Sequence, residues 1–325
     1  MDMKKKIIQP SSWLGLFFSL IVVAYVILAL DLSQVLKTFA QIKWNLLFLA
    51  FSVYLVNYFL RTWRFRALLG LEAISFRNLF GLTSLYGMYL YLLPAKSGEA
   101  TYPIMLKKYL DVSLVYSTAI LIVIRFFDFF TIVLFLPFVL ATFWGQIHAA
   151  VRWGALVFCF FVIASSVVGL WIVRNQNWRK TWLHPSESLL GKGKRILGNL
   201  LANLANIDRQ GKYLKIALVT IAIWISVQLN FYLIVLALGY PLTIFEIMVV
   251  SIIMVPMTLL PIQGFANLGT HEIGWTAAFA LLGYSQAVAV SIAVSTHIIL
   301  LAFVLVLGMQ GWLFLHSGFF GVLKK

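Results

Sequence analysis

The chain has 325 residues, 62% of them hydrophobic and 11% charged, with a mean hydropathy of +0.96. Soluble domains carry about a quarter charged residues, so a soluble fold is excluded, as are disordered, collagen-like and disulfide-stapled chains; a polytopic, all-α membrane protein remains. Lys and Arg total 25 against 10 Asp and Glu, a formal +15, and the surplus reads as cytoplasmic loops in contact with anionic inner-leaflet lipids, with no nucleic acid among the partners.

Trp13 to Leu30 is uninterrupted apolar sequence behind Lys4, Lys5 and Lys6. It reads as a retained first span with a cytoplasmic N-terminus, because no small-residue cleavage site follows. Trp44 to Leu60 returns to the cytoplasm and ends in the basic cluster Arg61, Arg64 and Arg66. Asn78 to Leu93 is too short to cross a ~30 Å hydrocarbon core and stops at Pro94. The next stretch is short as well and ends at Lys107 and Lys108, so the pair is expected to be a re-entrant hairpin broken near 94–99.

Ser113 to Ala141, Arg152 to Val173 and Tyr213 to Leu238 are long spans, and Cys159 in the second of them has no cysteine with which to pair. The stretch 174–212 between the last two is hydrophilic. Its residues Ile196, Leu197, Leu200, Leu201, Leu204 and Ile207 fall on one helical face, as in an amphipathic helix on the inner leaflet; a solvated linker is the competing reading. Phe245 to Leu260 is a second short run, broken near 261–272, and Trp275 to Leu282 leads back out before the last span, Gln286 to Leu315.

The expected architecture is therefore one membrane domain over 1–325 with about six full spans and two re-entrant broken-helix hairpins. Both breaks follow Leu-Leu-Pro and precede a lone glutamate, a weak repeat that sets 1–145 against 146–325 with inverted topology. With both termini cytoplasmic, only Lys37, Lys43 and Arg152 lie outside and Lys96 and Arg125 lie at membrane depth; every other lysine and arginine faces the cytoplasm.

Ionisable groups at membrane depth cost a few kcal/mol on insertion scales and mark function by default. Lys96 and Glu99 lie three apart in the first break and can pair across one helical turn. Arg125 and Asp128 repeat that spacing inside a long span, where a structural ion pair competes with a functional role. His271 and Glu272 close the second break; for the histidine a hydrogen-bonded structural role is the stronger reading, and for the glutamate a functional one. His297, flanked by Ser295 and Thr296, is expected to make interhelical hydrogen bonds. Nucleotide loop, HExxH spacing and serine elbow are all absent, so no catalytic residue, metal site or cofactor is expected.

Four patches, RTWRFRALL (61–69), LLPAKSGE (92–99), IRFFD (124–128) and LLPIQGFANLGTHE (259–272), make the chain resemble the membrane region of the lysylphosphatidylglycerol synthase family, flippase-like integral membrane proteins. The synthases' soluble aminoacyl-transferase domain is expected to be lacking. Thr101, Tyr102 and Pro103 stand where the family often has an arginine, and Ile124 where it commonly has an acid.

The resemblance implies a plasma (inner) membrane lipid translocase moving a phospholipid, or a polyprenyl-linked or glycolipid, with an ionic headgroup. Lys96 and Arg125 are expected to bind headgroup phosphate, and Glu99, Asp128, Glu272 and His271 to balance charge or bind an amine or sugar. A membrane-embedded transferase using a lipid-linked donor is the alternative, followed by a non-transporting partner of a lipid-synthesis or cell-envelope enzyme. A second copy of the chain, or such an enzyme, is a further expected partner.

Overall fold

The computed structural model describes residues 32–70, 74–145, 148–175, 189–257 and 263–316. All regular structure among them is helical: α1 Leu32–Ala40, α2 Trp44–Leu69, α3 Phe76–Leu92, α4 Ser97–Leu110, α5 Leu114–Phe143, α6 Ala149–Arg174, α7 Leu189–Arg209, α8 Tyr213–Ala237, α9 Ile244–Met257, a 3₁₀ turn Phe265–Asn267, α10 Thr270–Leu281 and α11 Gln286–His316. The expected first span, Trp13 to Leu30, lies outside the described residues, as do 176–188 of the hydrophilic stretch and 258–262 of the second break.

Five helices, α2, α5, α6, α8 and α11, are long and apolar enough to cross a membrane. Each has 25 to 31 residues, or about 37–47 Å at ~1.5 Å per residue. The helices flanking the breaks are shorter, 17 and 14 residues for α3 and α4 and 14 and 12 for α9 and α10. None of these four reaches ~30 Å.

The chain divides into two compact units. The first comprises Met1–Phe51, Ser84–Thr101 and Phe231–Gln310. Within it the amide of Lys43 donates to the carbonyl of Ala237 at 2.9 Å, fixing the start of α2 against the end of α8. In the same unit α9 packs on α10, where Gly274 meets Met254 so closely that a methyl group on the glycine would overlap the sulfur.

The second unit comprises Ser52–Thr83, Tyr102–Asn230 and Gly311–Lys325. Here α5, α6 and α7 pack on one another, and Arg174 at the end of α6 holds Asp208 of α7 through two 3.1 Å hydrogen bonds. In the last turn of α4, Lys107 pairs with Asp111 just beyond the helix at 2.5 Å, and this hydrogen bond holds the carboxyl below its usual range. Most of α6 is exposed: only Val162 and Val173 are buried, while Trp153, Phe160, Phe161 and Trp171 stand out. A helix apolar all round is stable only where its surroundings are apolar, as in a bilayer.

The basic cluster after Leu60 needs correction. Helix α2 continues through it to Leu69, and Arg64 is fully buried among helices, whereas Arg61 and Arg66 are part-exposed.

Candidate functional site

In the first unit the two breaks are joined. Pro94 has no amide hydrogen to continue α3, and the chain turns through Ala95 and Lys96 at φ 50° and 59°. Ser97 restarts helix, its amide and hydroxyl both donating to the Pro94 carbonyl at 3.0 and 2.6 Å. Gly98 lets α4 lie directly on α3, because a Cβ there would stand 2.5 Å from the Tyr89 carbonyl oxygen.

The second break repeats this form. Ala266 and Asn267 take φ of 53° and 62°, Gly269 takes 87°, and α10 begins at Thr270. Successive non-glycine residues at positive φ each cost of order 1–2 kcal/mol, so surrounding contacts must hold both turns. One such contact runs between them: the Ala95 amide donates to the Gln263 carbonyl at 2.8 Å.

Each restarted helix carries a glutamate at its third position. Glu99 lies 3.8 Å from the Lys96 ammonium, the pairing that the three-residue spacing allows. Glu272 does otherwise. Its Oε2 accepts the Gly269 amide at 2.7 Å, the glutamate half of a capping box. Its Oε1 meets Nδ1 of His297 from α11, whose Nε2 lies 2.9 Å from the Ala266 carbonyl. The His271 ring stacks on Trp275 with centroids 5.1 Å apart and reaches Thr296 Oγ1 at 3.2 Å. His271, Glu272 and His297 are all buried, so Glu272 is a bonded member of a cluster and not a carboxylate open to a headgroup.

The second unit holds a separate polar cluster on α2, α5 and α8. Arg64 donates to Asp128 Oδ1 at 2.7 Å and to Thr220 at 3.1 Å, and Trp224 donates to the same carboxylate oxygen at 3.2 Å. Arg125 approaches Oδ2 at 3.5 Å with a third of its side chain exposed. Arg61 donates to Asn57 at 2.7 Å, and Asn57 in turn to Ser226 at 2.8 Å. Asp128 is therefore shared, with Arg64 its tighter partner.

A span that ends at Leu60 leaves Arg64 in a basic cluster beyond it and gives the residue no role of its own. The signal was present: Asn57, Arg61 and Arg64 recur at helical spacing inside apolar sequence. His297 carried only the general expectation of an interhelical bond, and nothing in the sequence singled out Glu272 as its partner.

The family model described as the lysylphosphatidylglycerol synthase TM region matches residues 12–308. No curated protein and no solved structure matches the chain.

Proposed function

Because the chain belongs to the lysylphosphatidylglycerol synthase TM-region family, we propose that it is a lipid translocase that carries an ionic headgroup across the membrane while the acyl or prenyl tails stay in the bilayer. The observation that carries this reading is the bond from Ala95 to Gln263, which ties two helix breaks back to back. In this reading α3–α4 and α9–α10 are re-entrant hairpins of an inverted repeat, each too short to span and each opening a helix N-terminus inside the membrane. Broken helices at that depth provide unpaired backbone N–H groups and a positive dipole end for an anionic group.

Lys96 lies at the first break, and its ammonium is the direct phosphate partner there. Arg125 serves phosphate in the second unit together with Arg61, while Asp128, itself held by Arg64, positions Arg125. Glu99 balances Lys96 or receives an amine or sugar. The membrane is the plasma (inner) membrane, with both termini cytoplasmic. The chain leaves lipid chemistry unchanged.

Reconstitution in phospholipid vesicles with headgroup-labelled lipid tests this. Purified protein is expected to move label between leaflets, with a tenfold or greater loss in Lys96→Gln and Arg125→Gln. A new covalent lipid product would instead establish a transferase, and wild-type rates in both variants would remove these two side chains from the mechanism.

A further inference from the structure

The hydrogen bonds of His297 determine how many protons it shares with Glu272. Its Nε2 faces the Ala266 carbonyl oxygen at 2.9 Å. That oxygen only accepts, so Nε2 bears a hydrogen. Its Nδ1 faces Glu272 Oε1. Without a proton there, a nitrogen lone pair would oppose a carboxylate in a buried place. One proton therefore sits between them, giving either imidazolium with carboxylate or neutral imidazole with carboxylic acid. Both forms leave Oε2 able to accept the Gly269 amide at 2.7 Å, and in both the pair is neutral.

The surroundings favour a single shared proton. From α10, the His271 ring lies 4.8 Å from that of His297. Thr296 gives its hydroxyl proton to the Ile292 or Ala293 carbonyl, at 2.8 and 3.0 Å, so it receives the Nε2–H of His271. From α3, the Tyr91 ring meets His297 edge-on at 5.8 Å, and its hydroxyl has no hydrogen-bond partner among the described residues. The turn 265–267 contributes no titratable group. Lys96 and Glu99 belong to the other break, joined to this one through Ala95 and Gln263. A second proton would leave an imidazolium charge uncompensated beside His271, and loss of the first would leave a buried anion.

We propose that Glu272 and His297 form a proton-binding site that latches α11 to the second break, and that lipid movement is coupled to its filling and emptying. With the proton in place, His297 ties α11 both to the Ala266 carbonyl and to the first turn of α10. When the proton leaves to water, the attraction between Nδ1 and Oε1 becomes repulsion and the tie of α11 to the first turn of α10 is lost, while the Nε2–H bond to Ala266 and the Gly269 cap on Glu272 persist. The coupling clause rests on the translocase reading; the proton site does not.

Protein labelled with ¹⁵N-histidine in lipid nanodiscs tests the site without any lipid movement. Over the window of pH in which the protein stays folded, the His297 Nδ1 signal is expected to change protonation state. A carboxyl-region infrared band, assigned by its loss in Glu272→Gln, moves with the same midpoint. An Nδ1 shift constant across that window, or one whose midpoint stays unchanged in Glu272→Gln, overturns the site. Should that variant fail to assemble, Glu272→Asp keeps the carboxylate and the wild-type ring titration still decides.

Vesicles with an imposed pH gradient test the coupling. Lipid movement is expected to change severalfold with the gradient's direction in wild type and to lose that dependence in His297→Gln. Movement indifferent to the gradient in wild type overturns coupling and leaves the translocase reading standing. No lipid movement under any gradient removes the translocase reading, and the spectroscopic titration then decides the proton site alone.

Discussion

Asp128 has two arginine partners of unequal weight. Arg64 is 1% exposed and 2.7 Å away, whereas Arg125 is 3.5 Å away and partly exposed. Removing one partner of a buried ion pair strands the other charge, which typically costs about 3–5 kcal/mol, whereas replacing both by apolar groups is often nearly neutral. Asp128→Leu is therefore expected to destabilise strongly, and the double change Arg64→Met with Asp128→Leu to recover much of the loss. Arg125→Met is expected to cost under about 1 kcal/mol, because a half-open pair is weakened by its surroundings. Thermal unfolding of the three variants and the wild type in one detergent orders them. A double variant less stable than Asp128→Leu would show that Arg64 packs for reasons other than charge.

Among the elements, α3 and α4 depend on one glycine. Gly98 sits against the Tyr89 carbonyl and Leu90 Cα, at 2.5 and 2.6 Å from where a Cβ would lie. Both neighbours are backbone and cannot swing aside, so Gly98→Ala must push the helices apart at a cost of roughly 1–3 kcal/mol. The break bonded to Gln263 would shift with them. A fall in Tm larger than that of Gly154→Ala is expected, because Gly154 has nothing within 4 Å; equal Tm values would mean that α4 does not rest on α3 in the membrane. The Leu-Leu-Pro and glycine pattern made both breaks legible as positions where helix stops. It did not reveal that each turn uses two non-glycine residues at positive φ, since alanine and lysine carry no sequence signature for that conformation and, of the four, only Asn267 is of a type that favours it.

Across the whole molecule, the bilayer is the solvent that makes the exposure of α6 tolerable. Phe160 is 73% exposed midway along that helix. Phe160→Lys is expected to reduce insertion by about 2.5–3.5 kcal/mol on translocon scales, readable as a lower membrane-inserted fraction in a glycosylation-reporter assay. The proposed topology, in which the first hairpin enters from the cytoplasm, makes a second expectation: Lys107→Cys is labelled by an impermeant thiol reagent from the cytoplasmic side. Labelling only from outside would reverse that hairpin. Ile196 and Leu197 are exposed on α7 beside Lys194 and Arg195, while Ile207 on the same helix is buried.

What the amino-acid sequence determined by itself is local. Run length and hydropathy mark α2, α5, α6, α8 and α11 as spans, and proline and glycine mark the breaks. Three-residue spacing brings Lys96 to Glu99 and Arg125 to Asp128. These follow from helical periodicity and from the cost of charge in hydrocarbon, both of which act over a few residues. Tertiary structure alone decided the long-range partners: Arg64 with Asp128, His297 with Glu272, and Ala95 with Gln263. A charge in an apolar chain must find an opposite charge or a hydrogen bond, but which one it finds depends on how the helices are packed. The composition places this chain in a membrane. The packing turns a scatter of costly charges into an arginine–carboxylate cluster in one unit and, in the other, two joined helix breaks beside a buried histidine–glutamate pair.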